Sequence, residues 1–195
     1  MTTTMSAEEH KSRTARSYKL LLLFAMISMV MMFAGLTSAF VVSKSRADWL
    51  KDFQLPTAFY YSTAVIIGCS ITFHFAKKAI QKDNQKATTS FLLATLALGI
   101  LFVVLQFVGF GQIVESGYYF TGAESSITTT FLYIVTVVHL LHLAGGLIAL
   151  FIIIFKQLKH KYNSTDTLGI ELGAMYWHFL DLLWIYLFLF LFFFE

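Results

Sequence analysis

The chain has 195 residues, of which 57% are hydrophobic and 13% charged, and it carries a formal net charge of +3. Soluble domains contain about a quarter charged residues, so this composition excludes a water-soluble globular domain and a disordered chain. The single cysteine excludes a disulfide framework and a CxxC site for metal or haem. We therefore expect the protein to lie in a membrane.

Five apolar stretches follow one another along the chain, and a helix needs roughly 20 such residues to cross a bilayer. They run from Leu20 to Val42, Thr57 to Ala76, Thr89 to Phe110, Ile127 to Phe155 and Gly173 to Phe194. Segments such as LLLF at 21–24 are apolar on every face, unlike the alternating strands of a membrane barrel. The sequence predicts an all-α membrane protein, with five transmembrane helices over residues 20–195 after a tail over residues 1–19.

The distribution of lysine and arginine predicts the orientation of these helices. The tail and the second and fourth loops together hold eleven of these residues, and the first loop holds the other three. Because cytoplasmic loops carry the excess of positive charge, we expect the N-terminus in the cytoplasm and the C-terminus outside.

Polar side chains within the apolar stretches are candidates for a functional or structural polar network. They are His74, Gln106, His139, His142, His178 and Asp181. His139 and His142 are three residues apart on the fourth helix, as are His178 and Asp181 on the fifth, so each pair shares a helix face. An Asp at the centre of a membrane helix costs about 2.5–3.5 kcal/mol on insertion scales, so these groups should face protein or water.

These polar residues are consistent with three interpretations. A b-type haem would need His139 or His142 opposite His178, but their depths along the helices match poorly. A proton or ion path could run through His178, Asp181, His142 and His139. The favoured interpretation is hydrogen bonding between helices, with Asp181 accepting from a histidine or tyrosine and the histidine pair joining the fourth helix to its neighbours.

Motifs for catalysis are absent from the sequence, which contains neither GxxxxGK[ST] nor HExxH. We therefore predict no catalytic, cofactor-binding or metal-binding residue in this chain and no nucleic acid partner. Small residues instead predict close helix packing at Gly35, Gly145 and Gly146.

Two motifs near the C-terminus carry a resemblance to a known family. The fourth span contains HLLHLAGG at 139–146 and the fifth contains YWHFLDLLW at 176–184. This combination resembles subunit III of haem–copper terminal oxidases, that is, of cytochrome c or quinol oxidases, in its short five-helix bacterial form. The first span, with FAGLTSAF at 33–40, is also similar to that family.

The resemblance implies a non-catalytic accessory subunit of an aerobic respiratory enzyme in the bacterial inner membrane. It implies packing on the catalytic subunit I, in a complex with subunit II and a small subunit IV. The sequence leaves open whether this complex joins a larger respiratory supercomplex. Haem and copper are expected in partner subunits, and phospholipid is expected to bind this chain. His139, His142, Trp177, His178 and Asp181 match family positions that are structural or lipid-associated.

The resemblance also implies support of proton uptake and of enzyme integrity, but one feature departs from the family pattern. Many relatives carry an acid after a serine in the first helix, where this chain has Ser28 and Met29. A proton role for that carboxylate does not carry over. The alternatives are an accessory membrane protein of nitric oxide reductase, which shares the motif, a b-type haem electron carrier and a small proton-coupled transporter.

Overall fold

The computed structural model describes residues 7–46, 48–50, 54–120, 122 and 126–193. Its five long helices are α1 (Ala7–Val42), α2 (Thr57–Gln81), α3 (Gln85–Glu115), α4 (Ile127–Leu158) and α5 (Leu168–Phe193). Each is long and apolar enough to cross a membrane. The predicted all-α architecture with five spanning helices is confirmed.

The helices extend beyond the apolar stretches that predict them. α1 begins at Ala7 rather than Leu20, so the polar segment predicted as a tail is helical from Ala7 onward. Lys19 in this extension donates to a carboxylate oxygen of Glu171 on α5 at 2.6 Å. Hydropathy marks only the part of a helix that lies in hydrocarbon, whereas polar residues such as Glu, Lys and Arg continue a helix readily.

Local hydrogen bonds explain where two of the helices begin. The Asn84 side chain caps α3 by accepting from the Ala87 backbone N–H at 3.1 Å. Ser126 and Thr129 form a reciprocal capping box at the start of α4. Pro56 directly precedes α2, where its missing N–H removes no helical hydrogen bond.

The core of the bundle lies between α2, α3, α4 and α5 and is built from aromatic side chains. The Trp184 ring packs edge-on against Phe59 and Phe102, with centroids 5.7 and 5.1 Å away. Trp177 lies beside Phe73 at 6.0 Å. These four helices therefore converge on two fully buried indoles of α5.

α1 packs on the outside of this core. Its buried side chains are Met26, Phe33, Thr37 and Phe40, and the Thr37 hydroxyl lies 3.0 Å from the Tyr186 hydroxyl of α5. We call the end of the bundle formed by the start of α1, the α2–α3 turn and the α4–α5 loop the basic end, because eleven of the chain's lysines and arginines lie there.

Candidate functional site: polar groups inside the bundle

The predicted histidines and Asp181 separate into two groups. Ser70 and His74 of α2 meet His178 and Asp181 of α5, and we call these four residues the α2/α5 polar cluster. The second group is the histidine pair of α4. The single path through all four predicted residues is therefore not formed, because the two groups face different neighbours.

His178 is the centre of the α2/α5 polar cluster. Its Nδ1 lies 2.6 Å from the Ser70 hydroxyl, and its ring centroid lies 6.4 Å from that of His74. The Ser70 hydroxyl also faces the Asp181 carboxyl. This places four polar side chains in sequence across one helix interface.

Asp181 is buried, with 3% of its surface exposed. Neither carboxyl oxygen has a hydrogen-bond partner among the residues that the structure describes. The expectation that Asp181 accepts from a histidine or tyrosine is therefore wrong. Its position on α5 points it toward the α2 residues Cys69 and Ser70 instead.

His139 is fully buried and makes aromatic contacts in place of hydrogen bonds. Its ring lies 5.2 Å from Trp184 and 6.1 Å from Phe102, centroid to centroid. Neither ring nitrogen has a partner within the described part of the chain. This residue fills the aromatic core and does not join α4 to a neighbour by a side-chain hydrogen bond.

His142 faces away from the core, toward α1. Its Nδ1–H donates to the Val138 carbonyl of its own helix at 2.7 Å, and its ring lies 5.9 Å from that of Phe33. The hydrogen bond between α4 and α5 comes from Tyr176, whose hydroxyl donates to the backbone carbonyl of His142 at 3.0 Å. The expectation that the histidine pair itself joins the helices is corrected accordingly.

Each of the three histidines His139, His142 and His178 thus contacts different neighbouring helices. His139 packs on α3 and α5, His142 on α1 and His178 on α2. The arrangement required for paired-histidine haem ligation, with His139 or His142 opposite His178, is not formed. Within the described ranges no group of three or more His, Cys, Asp and Glu side chains could hold a metal ion.

Hydroxyl groups of α2 are the partners that the sequence analysis missed. Gln106, fully buried on α3, donates from Nε2 to the Ser62 hydroxyl at 2.8 Å. The Trp184 indole N–H donates to the Thr63 hydroxyl at 3.0 Å. Ser70 lies seven residues beyond Thr63, which is two helical turns along the same face of α2. Hydroxyl residues at this spacing are a signal that could have identified the interface.

The predicted packing residues differ in what surrounds them. At Gly146 an added Cβ would lie 3.0 Å from Leu180, whereas at Gly145 the nearest atom would be the Tyr176 hydroxyl at 3.9 Å. At Gly35 it would meet nothing within 4 Å among the described residues, so the close contact predicted there is absent. Trp177, whose family role was predicted as structural or lipid-associated, is buried in the core, and its indole N–H has no hydrogen-bond partner in the part of the chain that the structure describes.

A groove opens between α1, α4 and α5 near the basic end. Its volume is about 570 Å³. Small residues, including Gly145 and Gly173, line one part of it, and Lys156 and the Tyr18 ring lie at the end near the loops. The span from Gly145 to Lys156 along α4 is about 16 Å at 1.5 Å per residue. The groove is therefore long, mostly apolar and positively charged at one end.

At the basic end, hydrogen bonds join the α2–α3 turn to the α4–α5 loop. The Asp83 carboxylate accepts from the backbone N–H of Ser164 at 2.7 Å. Hydrogen bonds from the Ser164 hydroxyl and backbone N–H lower the pKa of Asp83 below its ordinary value. Burial, with Asp166 as a smaller contribution, raises the pKa of Tyr162 in the same loop. Gln85 Nε2 also donates to the Tyr162 carbonyl at 3.0 Å.

The fold and its buried polar groups define a class of multi-pass, all-helical membrane proteins. Comparison with known proteins is more specific. The model of the family cytochrome c oxidase subunit III matches residues 2–195. The chain belongs to this family.

Individual relatives agree with this assignment. The chain is 31% identical over 137 residues to cytochrome c oxidase subunit 3 of Spodoptera frugiperda, covering 70% of this chain and 87% of the relative. It is 32% identical over 140 residues to the Pelomedusa subrufa protein of the same name, covering 72% of this chain and 50% of that protein. The Damaliscus lunatus protein of the same name is 28% identical over 192 residues, covering 92% of this chain and 70% of that protein. The matched region therefore spans about half the length of some of these relatives.

Proposed function

We propose that the chain is a non-catalytic accessory subunit of an aerobic respiratory haem–copper oxidase, which supports proton uptake and the integrity of the enzyme. The observation that carries this proposal is the family match over residues 2–195. The five apolar helices support it by placing the chain in a membrane. The redox centres, haem and copper, belong in this proposal to partner subunits, with this chain packed on the catalytic subunit I beside subunit II and a small subunit IV.

Localisation follows from the same proposal, in which the complex lies in the bacterial inner membrane with the N-terminus of this chain in the cytoplasm. The apolar surface of α1 supports a position beside lipid or another subunit. Leu21, Phe24 and Met31 on this helix are all more than half exposed. Large apolar surfaces of this kind mark contacts with lipid or protein.

Affinity purification of the full-length tagged chain from its native membrane tests this function. We expect a haem-containing catalytic oxidase subunit to elute with it, together with copper and the reduced-minus-oxidised spectrum of that subunit. An untagged strain taken through the same steps is the control. Recovery of a nitric oxide reductase catalytic subunit instead would establish the alternative, and elution of the chain with stoichiometric haem and no partner would refute the proposal.

Lipid binding is the second part of the proposed function, and the groove near the basic end supports it. A phospholipid with an anionic headgroup would place its phosphate beside Lys156 and one acyl chain along Gly145 and Gly173. A lysine near a membrane surface contributes about 1 kcal/mol to the attraction of anionic lipid.

Replacing Lys156 with Gln should therefore weaken binding of phosphatidylglycerol about fivefold. The measurement is native mass spectrometry of the purified chain in titrations with phosphatidylglycerol and phosphatidylcholine. Lys78→Gln, at the same end of the bundle but outside the groove lining, is the matched control and should leave binding unchanged. Equal losses in both variants would mean that general charge, and not the groove, attracts the lipid.

A further inference from the structure

The α2/α5 polar cluster extends from the protein surface to a buried carboxyl. His74 is exposed, His178 is partly buried and Asp181 is buried. Measured from Leu168 at 1.5 Å per residue, His178 lies about 15 Å and Asp181 about 20 Å along α5. The cluster therefore leads from near the basic end into the apolar interior.

The contacts within the cluster are suited to moving a proton. The ring centroids of His74 and His178 lie 6.4 Å apart, so the two imidazoles are neighbours at the outer end of the cluster. The 2.6 Å contact joins His178 Nδ1 to the Ser70 hydroxyl. A serine hydroxyl has one hydrogen and two lone pairs, so it donates to an imidazole nitrogen while accepting from a carboxylic acid.

The far end of the cluster is a carboxyl that lacks a partner. Both oxygens of Asp181 are without a hydrogen bond in the described part of the chain. Burying an ionised carboxylate with no partner in a membrane bundle is costly, so the site accommodates the uncharged acid. We propose that Asp181 is a proton-binding site that exchanges with the aqueous phase through Ser70 and His178.

The steps conserve atoms and charge. The Asp181 side chain first turns to donate its acid O–H to the Ser70 hydroxyl that it faces. Its proton then passes to the Ser70 oxygen while the Ser70 hydroxyl proton passes to Nδ1 of His178. The resulting imidazolium releases its Nε2 proton to the water beside His74. The reverse sequence reloads the carboxyl, and no bond between heavy atoms forms or breaks.

Other titratable groups lie around this route on each neighbouring helix. They are Cys69 and Lys77 of α2, Glu171 of α5 and Lys19 of α1. From α3, Thr95 is uncharged and its carbonyl accepts from Cys69 at 3.8 Å. On α4, His139 and His142 face Trp184 and Phe33 instead. None of these groups donates a hydrogen bond to Asp181 within the described ranges.

Infrared spectroscopy of the full-length chain in lipid nanodiscs tests the proposal. The carbonyl stretch of a protonated carboxyl should be present and should disappear in Asp181→Asn. On transfer to D₂O this band should shift, and the shift should be about a hundredfold slower in Ser70→Ala and His178→Phe, the lower range for a positioned proton-transfer group. Ser70→Thr keeps the hydroxyl and should retain the wild-type rate, as should His142→Phe, which lies outside the cluster.

Two results would overturn the proposal. The first is a carboxyl band that persists in Asp181→Asn, and the second is wild-type exchange in both Ser70→Ala and His178→Phe. Proton exchange at Asp181 does not depend on the proposed function. Only the role of this exchange in proton uptake by an oxidase rests on that function. Failure of the chain to purify with an oxidase would refute that function and leave the exchange measurement on this chain intact.

Discussion

α3 and α1 are both long apolar helices, yet they occupy the bundle differently. The share of buried residues in the apolar span is 28% for α3 and 17% for α1. On α3, Gly109 faces the ring of Phe59 and the buried Gln106 donates a hydrogen bond to a serine of α2. At Gly35 of α1, an added Cβ would have no described atom within 4 Å. Lipid accepts apolar surface as readily as protein does, so a membrane helix needs no close packing within its own chain. Close packing, and not hydropathy, therefore identifies the helices that hold this bundle together.

Substitution of Gly109 on the closely packed α3 should cause the largest loss of stability. A Cβ at Gly109 would overlap the Phe59 ring of α2, so Gly109→Leu should destabilise the bundle by about 3 kcal/mol, the upper part of the range for overpacked cores. Thermal unfolding of the purified chain in detergent, followed by circular dichroism, is the measurement.

Two matched glycines serve as controls for this substitution. Gly111→Leu on the same helix and Gly35→Leu on α1 introduce the same side chain where nothing lies within 4 Å among the described residues. The free energy of unfolding of both variants should lie within about 0.5 kcal/mol of the wild-type value. Equal destabilisation by all three would show that the added side chain itself, and not its packing against Phe59, decides the outcome.

Removing the ion pair between Lys19 and Glu171, which joins α1 to α5, should have an intermediate effect on stability. The pair is close, at 2.6 Å, but the lysine side chain is 43% exposed, so Lys19→Met should cost about 0.5 kcal/mol. The effect should diminish in high salt because exposed pairs are screened. Arg16→Met on the same helix is the control, and an equal, salt-independent loss in both variants would contradict a specific pair.

The smallest effect is expected at the basic end, where the α2–α3 turn contacts the α4–α5 loop. Because the pKa of Asp83 is lowered in the folded chain, its hydrogen bonds stabilise the contact above the ordinary value of 3.8 and are lost as the pH falls through the lowered pKa. The protection factor of the Ser164 N–H, its exchange rate relative to that of an unstructured amide at the same pH, should therefore fall in acid. In Asp83→Ala this exchange should be fast at neutral pH as well, and a protected Ser164 N–H in that variant would contradict the assignment.

The helix ends show how far the sequence could be interpreted. Thr57 and Ile127 begin their helices as predicted, since a proline or a capping serine adjoins each apolar stretch. Leu20 is not the start of α1, because hydropathy cannot detect a helix that continues into water. The separation of His142 from His178 could not be predicted either, since spacing reports the face that residues share and not the neighbour that this face meets.

The sequence by itself determined the number of spans, the family and the presence of costly polar groups in the membrane. These follow from apolar length and from motifs that are contiguous in the chain. Only the tertiary structure decided that Ser70 meets His178. It also decided that, among the described residues, Asp181 lacks a hydrogen-bond partner and Gly35 makes no close contact. The physical reason is that the rotation and relative depth of each helix are set by side-chain packing across the whole bundle.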